Sequence, residues 1–116
     1  MIKKTAFASL IPPLTNVLVY EVPRNKTAEM VMLWITNTAG TNKTIEVSFY
    51  SAATGTTLVF LDGFVVNTNE FTQIGGEANT FVMLNEGDKL MAKGEANSDF
   101  KVIASLIENN KTVIGG

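Results

Sequence analysis

Lys43-Thr44-Ile45-Glu46-Val47-Ser48-Phe49-Tyr50-Ser51 alternates without a break: Ile45, Val47 and Phe49 fall on one side of an extended chain, and Thr44, Glu46 and Ser48 on the other. A period of two belongs to a β-strand with one face in a core and the other in water. Runs of the same kind, rich in Val, Ile, Thr and Phe, lie on both sides of it, at 17–22, 27–37, 56–61, 64–66, 71–74, 79–84, 89–92 and 100–108. Between them stand turn formers, among them Asp62-Gly63, Gly75-Gly76 and Glu86-Gly87-Asp88. No stretch keeps a 3.6-residue period long enough for a substantial helix, which excludes a parallel βαβ plan. About eight strands at this spacing predict an all-β domain, an antiparallel two-sheet β-sandwich, jelly-roll-like rather than immunoglobulin-like in order.

The run at 27–37 departs from the alternation. Val31, Leu33 and Ile35 sit on one face of a regular strand and Met30, Met32 and Trp34 on the other. A strand apolar on both faces is covered on both, and a two-layer domain has a single interior. The second cover is either a loop or the N-terminal segment of the same chain, or another subunit. Met30, Met32 and Trp34 are therefore the candidates for an oligomer interface, since Met and Trp are enriched where proteins meet.

The chain has 116 residues, enough for one domain, with 46% hydrophobic and 17% charged residues. Nine Lys and Arg against eleven Asp and Glu leave a net charge of −2, without the basic surplus that nucleic-acid binding needs. There is no Cys and no His. That removes disulfides, thiol chemistry, the usual zinc and haem ligands, and nucleophile–His pairs. Residues 1–14 begin like a secretion signal, with Lys3 and Lys4 before an apolar run, but Pro12-Pro13 interrupt it and no small-residue cleavage site follows. They are expected to form an N-terminal arm, 15–108 the sandwich, and 109–116 a loose tail. No apolar run approaches the length of a membrane helix, and the chain reads as soluble, with no membrane partner.

Carboxylates are the remaining acid–base groups. Glu86 with Asp88, and Glu95 with Asp99, lie in glycine-containing loops where carboxylates serve turns, and neither pair builds a cleft. Calcium at Glu86, Asp88 or Asp99 lacks the alternating ligand loop. No cofactor, metal or catalytic residue is expected. The three Asn-Lys-Thr triplets at Asn25, Asn42 and Asn110 fit the N-glycosylation pattern, yet each falls at a predicted turn or strand boundary.

Tyr20-Glu21-Val22-Pro23-Arg24-Asn25-Lys26-Thr27-Ala28, a long apolar strand closing on Asn37-Thr38, the turn Leu84-Asn85-Glu86-Gly87-Asp88-Lys89-Leu90-Met91-Ala92, and a last strand over 102–108 occur in this order. The ordered set resembles small virion structural proteins of tailed bacteriophages, of the capsid decoration or cement type. Arg24-Asn25 stand where that group carries a small residue and Gly, which bears on the turn type. The resemblance implies a non-enzymatic protein on the capsid surface, made in the host cytoplasm, with the major capsid protein as partner and a homotrimer as its favoured assembly. In that setting the N-terminal arm would lie across capsid subunits through Ala6, Phe7, Leu10 and Ile11. The alternative is a tail or fibre accessory module that binds a receptor or glycan.

Overall fold

A computed structural model describes residues 2–75 and 82–110, and for residues 2–10 it describes the backbone. Its strands are β1 (Ile2–Ile11), β2 (Val17–Glu21), β3 (Lys26–Asn37), β4 (Lys43–Ser51), β5 (Thr56–Val66), β6 (Phe71–Gly75), β7 (Val82–Leu84), β8 (Lys89–Gly94) and β9 (Phe100–Asn110). One sheet runs β1-β9-β3-β6, with β7 also on β3, and the other β2-β8-β4-β5. β6 and β7 follow one another along the same edge of β3, opposite 32–36 and 28–30 respectively. They fill one strand position, so each sheet is four wide.

Every ladder is antiparallel, and the pairing has a simple rule. The first strand pairs with the last, β2 with β8, β3 with β6 and β7, and β4 with β5. A long hairpin whose tip is the β4–β5 connection has been rolled up, and the two sheets result. This is the jelly roll, the order anticipated from the strand spacing.

The rolled hairpin corrects the expected arm. Residues 2–11 are the edge strand β1, in register with β9 from Ile2↔Glu108 to Ile11↔Phe100. Ile11 is 1% exposed and belongs to the core. β9 has main-chain groups to satisfy on that side, and a ladder satisfies them. Pro12-Pro13 stop the strand, and Leu14, with φ of 60°, turns the chain toward the other sheet, its N–H donating to the Gly94 carbonyl. Asn109 and Asn110 extend β9 opposite Thr27 and Lys26, so the expected tail begins no earlier than residue 111, outside the described residues.

Asp62-Gly63 do not turn the chain. They lie inside the continuous β5, where the ladder with β4 slips between Ile45↔Phe64 and Val47↔Leu61. Gly63, at φ +63°, takes the left-handed conformation that a bulge requires. At the Pro23–Lys26 turn Asn25 has φ 63°, a left-handed conformation that Asn tolerates better than other non-glycine side chains.

The core lies between the sheets. Leu33 and Ile35 of β3, Val102 and Leu106 of β9, Ile45 and Val47 of β4, and Leu90 of β8 have 0–1% of their surface exposed. Burying side chains of this size contributes about 1.5–3 kcal/mol each before conformational entropy is charged against it.

Candidate functional site

The faces of β3 are set by a bulge at Val31. Leu106 pairs with Met30 and the next residue, Ser105, with Met32, so Val31 is the extra residue. The slip moves everything before it to the opposite face. Ala28 and Met30 point inward together with Leu33 and Ile35, and Met30 is fully buried in the core. The expectation that Met30 faces outward is thus corrected: a strict period of two does not survive a bulge. Met32 and Trp34 do lie on the outer face, half-buried.

Directly opposite residues in an antiparallel ladder share a face, so the register draws this outer surface. Trp34 stands between Gln73 of β6 and Ile103 of β9, and Thr36 between Phe71 and Lys101. Trp34 and Phe71 stack diagonally, with ring centroids 4.6 Å apart and planes 25° from parallel. Phe71 and Ile103 are exposed, and Met83, opposite Glu29, is exposed at the other end of the same face. Phe71, Met83 and Ile103 gave no signal as parts of one surface in the sequence, because it is pairing that brings them together.

A second apolar surface lies where β5 and β7 end the two sheets. Among the described residues β5 pairs with β4 on one side only, and Leu58, Val59 and Val65 on it are exposed. Behind Leu58 a cleft of about 170 Å³ opens between the sheets, lined entirely by Met30, Phe49, Leu58, Phe60, Val82 and Leu90. An apolar cleft of this volume is large enough to take a group the size of an aromatic ring. Of the residues expected to reach a capsid, Ala6, Phe7 and Leu10 lie on β1, and Ile11 is in the core.

The loop carboxylates hold the turns together. Asp88 is 2% exposed, and its two oxygens accept the Ala52 N–H at 2.9 Å and the Asn85 N–H at 2.7 Å. Its carbonyl accepts the Val22 N–H, so one residue ties three connections at one end of the sandwich. Glu86 accepts the Asn25 N–H at 3.0 Å, and Glu95 the Thr44 N–H at 2.6 Å. At the other end the buried Asn37 side chain donates to the Val66 and Thr41 carbonyls and accepts the Ala39 N–H. The Gly-Asp and Asn-Thr motifs therefore fasten loops. Among the described residues no group of three or more acidic side chains gathers where it would hold a metal ion.

The chain matches no family model and no curated protein. Among solved structures it is similar to a chain of the Bacillus endospore appendages, described as a novel family of disulfide-linked pili. The TM-score is 0.57 at 16% identity, over 96% of this chain and 88% of that one. At this identity the likeness speaks for the fold alone.

Proposed function

We propose that this chain is a non-enzymatic structural protein of a tailed-phage virion that decorates the assembled head and stabilises it. The observation that carries the reading is the β5 edge: eleven residues long, with Asp62 its single charge and no Lys, Arg or Pro, with Leu58, Val59 and Val65 exposed and Leu58 lining an all-apolar cleft. Long apolar edges are normally blunted by charge or proline in proteins that stay alone, and from Thr56 to Leu61, before Asp62 and the bulge, this edge carries neither. Here a strand of the major capsid protein adds to β5 and seats an apolar side chain in the cleft. Binding the closed shell in preference to its free subunits stabilises the shell by mass action. The ordered motifs from Tyr20 to Ala28 and from Leu84 to Ala92 support the same class.

The test is co-sedimentation with heads of the encoding phage that lack the protein. Saturable binding to heads, absent with free capsid subunits and lost in Leu58→Lys and Val65→Lys, supports decoration. Equal binding to free subunits, or none to heads, overturns it.

A second reading, a subunit of a surface filament, is favoured by the similarity to an appendage chain. Within this sequence there is no Cys, so such a filament would be held without the disulfides named for those pili. Filaments formed by the purified protein alone, seen by electron microscopy, would move the assignment there, and a hit on a glycan array would move it to receptor binding.

A further inference from the structure

We infer that two copies of this chain pair face to face through the outer surface of the β1-β9-β3-β6 sheet, about a two-fold axis that crosses the strands at Leu33 and Ala104. This surface is separate from the β5 edge, and the inference does not rest on the decoration reading.

The register makes the face self-complementary. Leu33 and Ala104 are paired and point inward, so the outward rows lie symmetrically on either side of them. On one side the first row is Trp34 and Ile103, flanked by Gln73; on the other it is Met32 and Ser105, flanked by Gly75. A two-fold axis lying in the interface and perpendicular to the strands exchanges the two rows. It sets the large row of each copy over the smaller row of the other, Ile103 over Ser105, Gln73 over Gly75 and Trp34 over Met32. Large side chains meeting small ones is the condition for close packing between sheets.

The outer rows agree. Phe71, 57% exposed, is one row beyond Trp34, and Met83, 60% exposed, is one row beyond Met32, both at the same sheet edge. The axis places the Phe71 ring of one copy against the Met83 thioether of the other, a favourable sulfur–aromatic contact. Glu29 and Lys101 lie in opposite outer rows of the central strands, so reversal keeps like charges on these strands apart.

The size is adequate. A face four strands wide, with central strands of 12 and 11 residues, spans roughly 19 Å by 37 Å, about 700 Å². Stable complexes bury around 800 Å² per partner. A second copy also carries the same twist, which lets two sheets stack in alignment, whereas an unrelated surface meets a twisted face at few points. An isologous pair differs from the trimer that the phage resemblance implies, and mass distinguishes them.

Light scattering on the purified chain is expected to give twice the 12.5 kDa monomer mass. A double variant, Phe71→Lys with Ile103→Lys, changes two exposed side chains and is expected to be monomeric with an unchanged circular dichroism spectrum. The arrangement is tested separately by thiols, because the chain has no Cys. Phe71→Cys mixed with Met83→Cys is expected to form a covalent dimer with a short bismaleimide, and neither variant alone, since like positions lie about 20 Å apart across the axis. A monomer at every concentration, a trimer, a dimer untouched by the lysines, or no cross-link in the mixture would each overturn the inference.

Discussion

The Tyr20 hydroxyl donates to the Glu108 carboxylate at 2.5 Å, and both side chains are about 5% exposed. Tyr20 belongs to β2 and Glu108 to β9, so the bond crosses from one sheet to the other inside the sandwich. Tyr20→Phe leaves the packing nearly intact and removes one donor from a buried carboxylate. The expected loss is about 1–3 kcal/mol, measured by urea denaturation at pH 7.

The same phenol predicts how stability depends on alkaline pH. Burial, then the hydrogen bond to Glu108 and its charge, raise the Tyr20 pKa well above the ordinary value of 10.0. The unfolded chain releases this proton near pH 10 while the folded chain keeps it. Its contribution is thus complete below pH 10 and is lost progressively above it. Melting temperatures between pH 8 and 11.5 are expected to fall more steeply in the native chain than in Tyr20→Phe; parallel curves would refute the coupling.

Asp88 accepts two main-chain N–H groups from two different connections. Asp88→Ala strands both donors in a nearly closed site and is expected to cost about 3 kcal/mol. Hydrogen exchange adds the local signature: the Ala52 and Asn85 amides lose protection before the β3 and β9 amides do.

Val31 tests the bulge directly. Deleting it leaves Glu29, Met30, Met32, Leu33 and Trp34 in unbroken out-in-out-in-out order. The variant is expected to stay folded within about 2 kcal/mol of the parent. A regular strand without a bulge would instead have half its side chains turned inside out by the deletion and would not fold.

Ser98 is buried, and among the described residues its hydroxyl has no hydrogen-bond partner. Ser98→Ala removes a desolvated polar group and is expected to leave stability unchanged or raise it by up to about 1 kcal/mol. Gly94→Ala is expected to do the opposite, since an added Cβ would lie 2.2 Å from the Ser98 oxygen and 3.0 Å from the Phe100 ring. Thermal melts of the two single variants decide both signs.

Alternation in Ile45, Val47 and Phe49 was enough to read an antiparallel sandwich, and the count of runs was enough to favour the jelly roll. Periodicity carries those signals locally. What it could not carry were the slips. Val31 puts Met30 indoors and Gly63 keeps β5 whole, and each depends on a partner strand far away in sequence. For residues 2–11 an apolar run before two prolines reads equally as an arm or as a strand until β9 supplies the ladder. Trp34 was legible as a second-face residue, but Phe71, Ile103 and Met83 join it only through pairing.

The ladder between β1 and β9 also sets the order of events in synthesis. Its closing pair, Ile2↔Glu108, joins positions 106 residues apart in the chain. β1 must wait for β9 before this ladder can form, so the β1-β9-β3-β6 sheet cannot close strand by strand in chain order. The β4–β5 tip, whose strands are joined by four residues, is the natural place for pairing to begin, and the roll tightens outward from there.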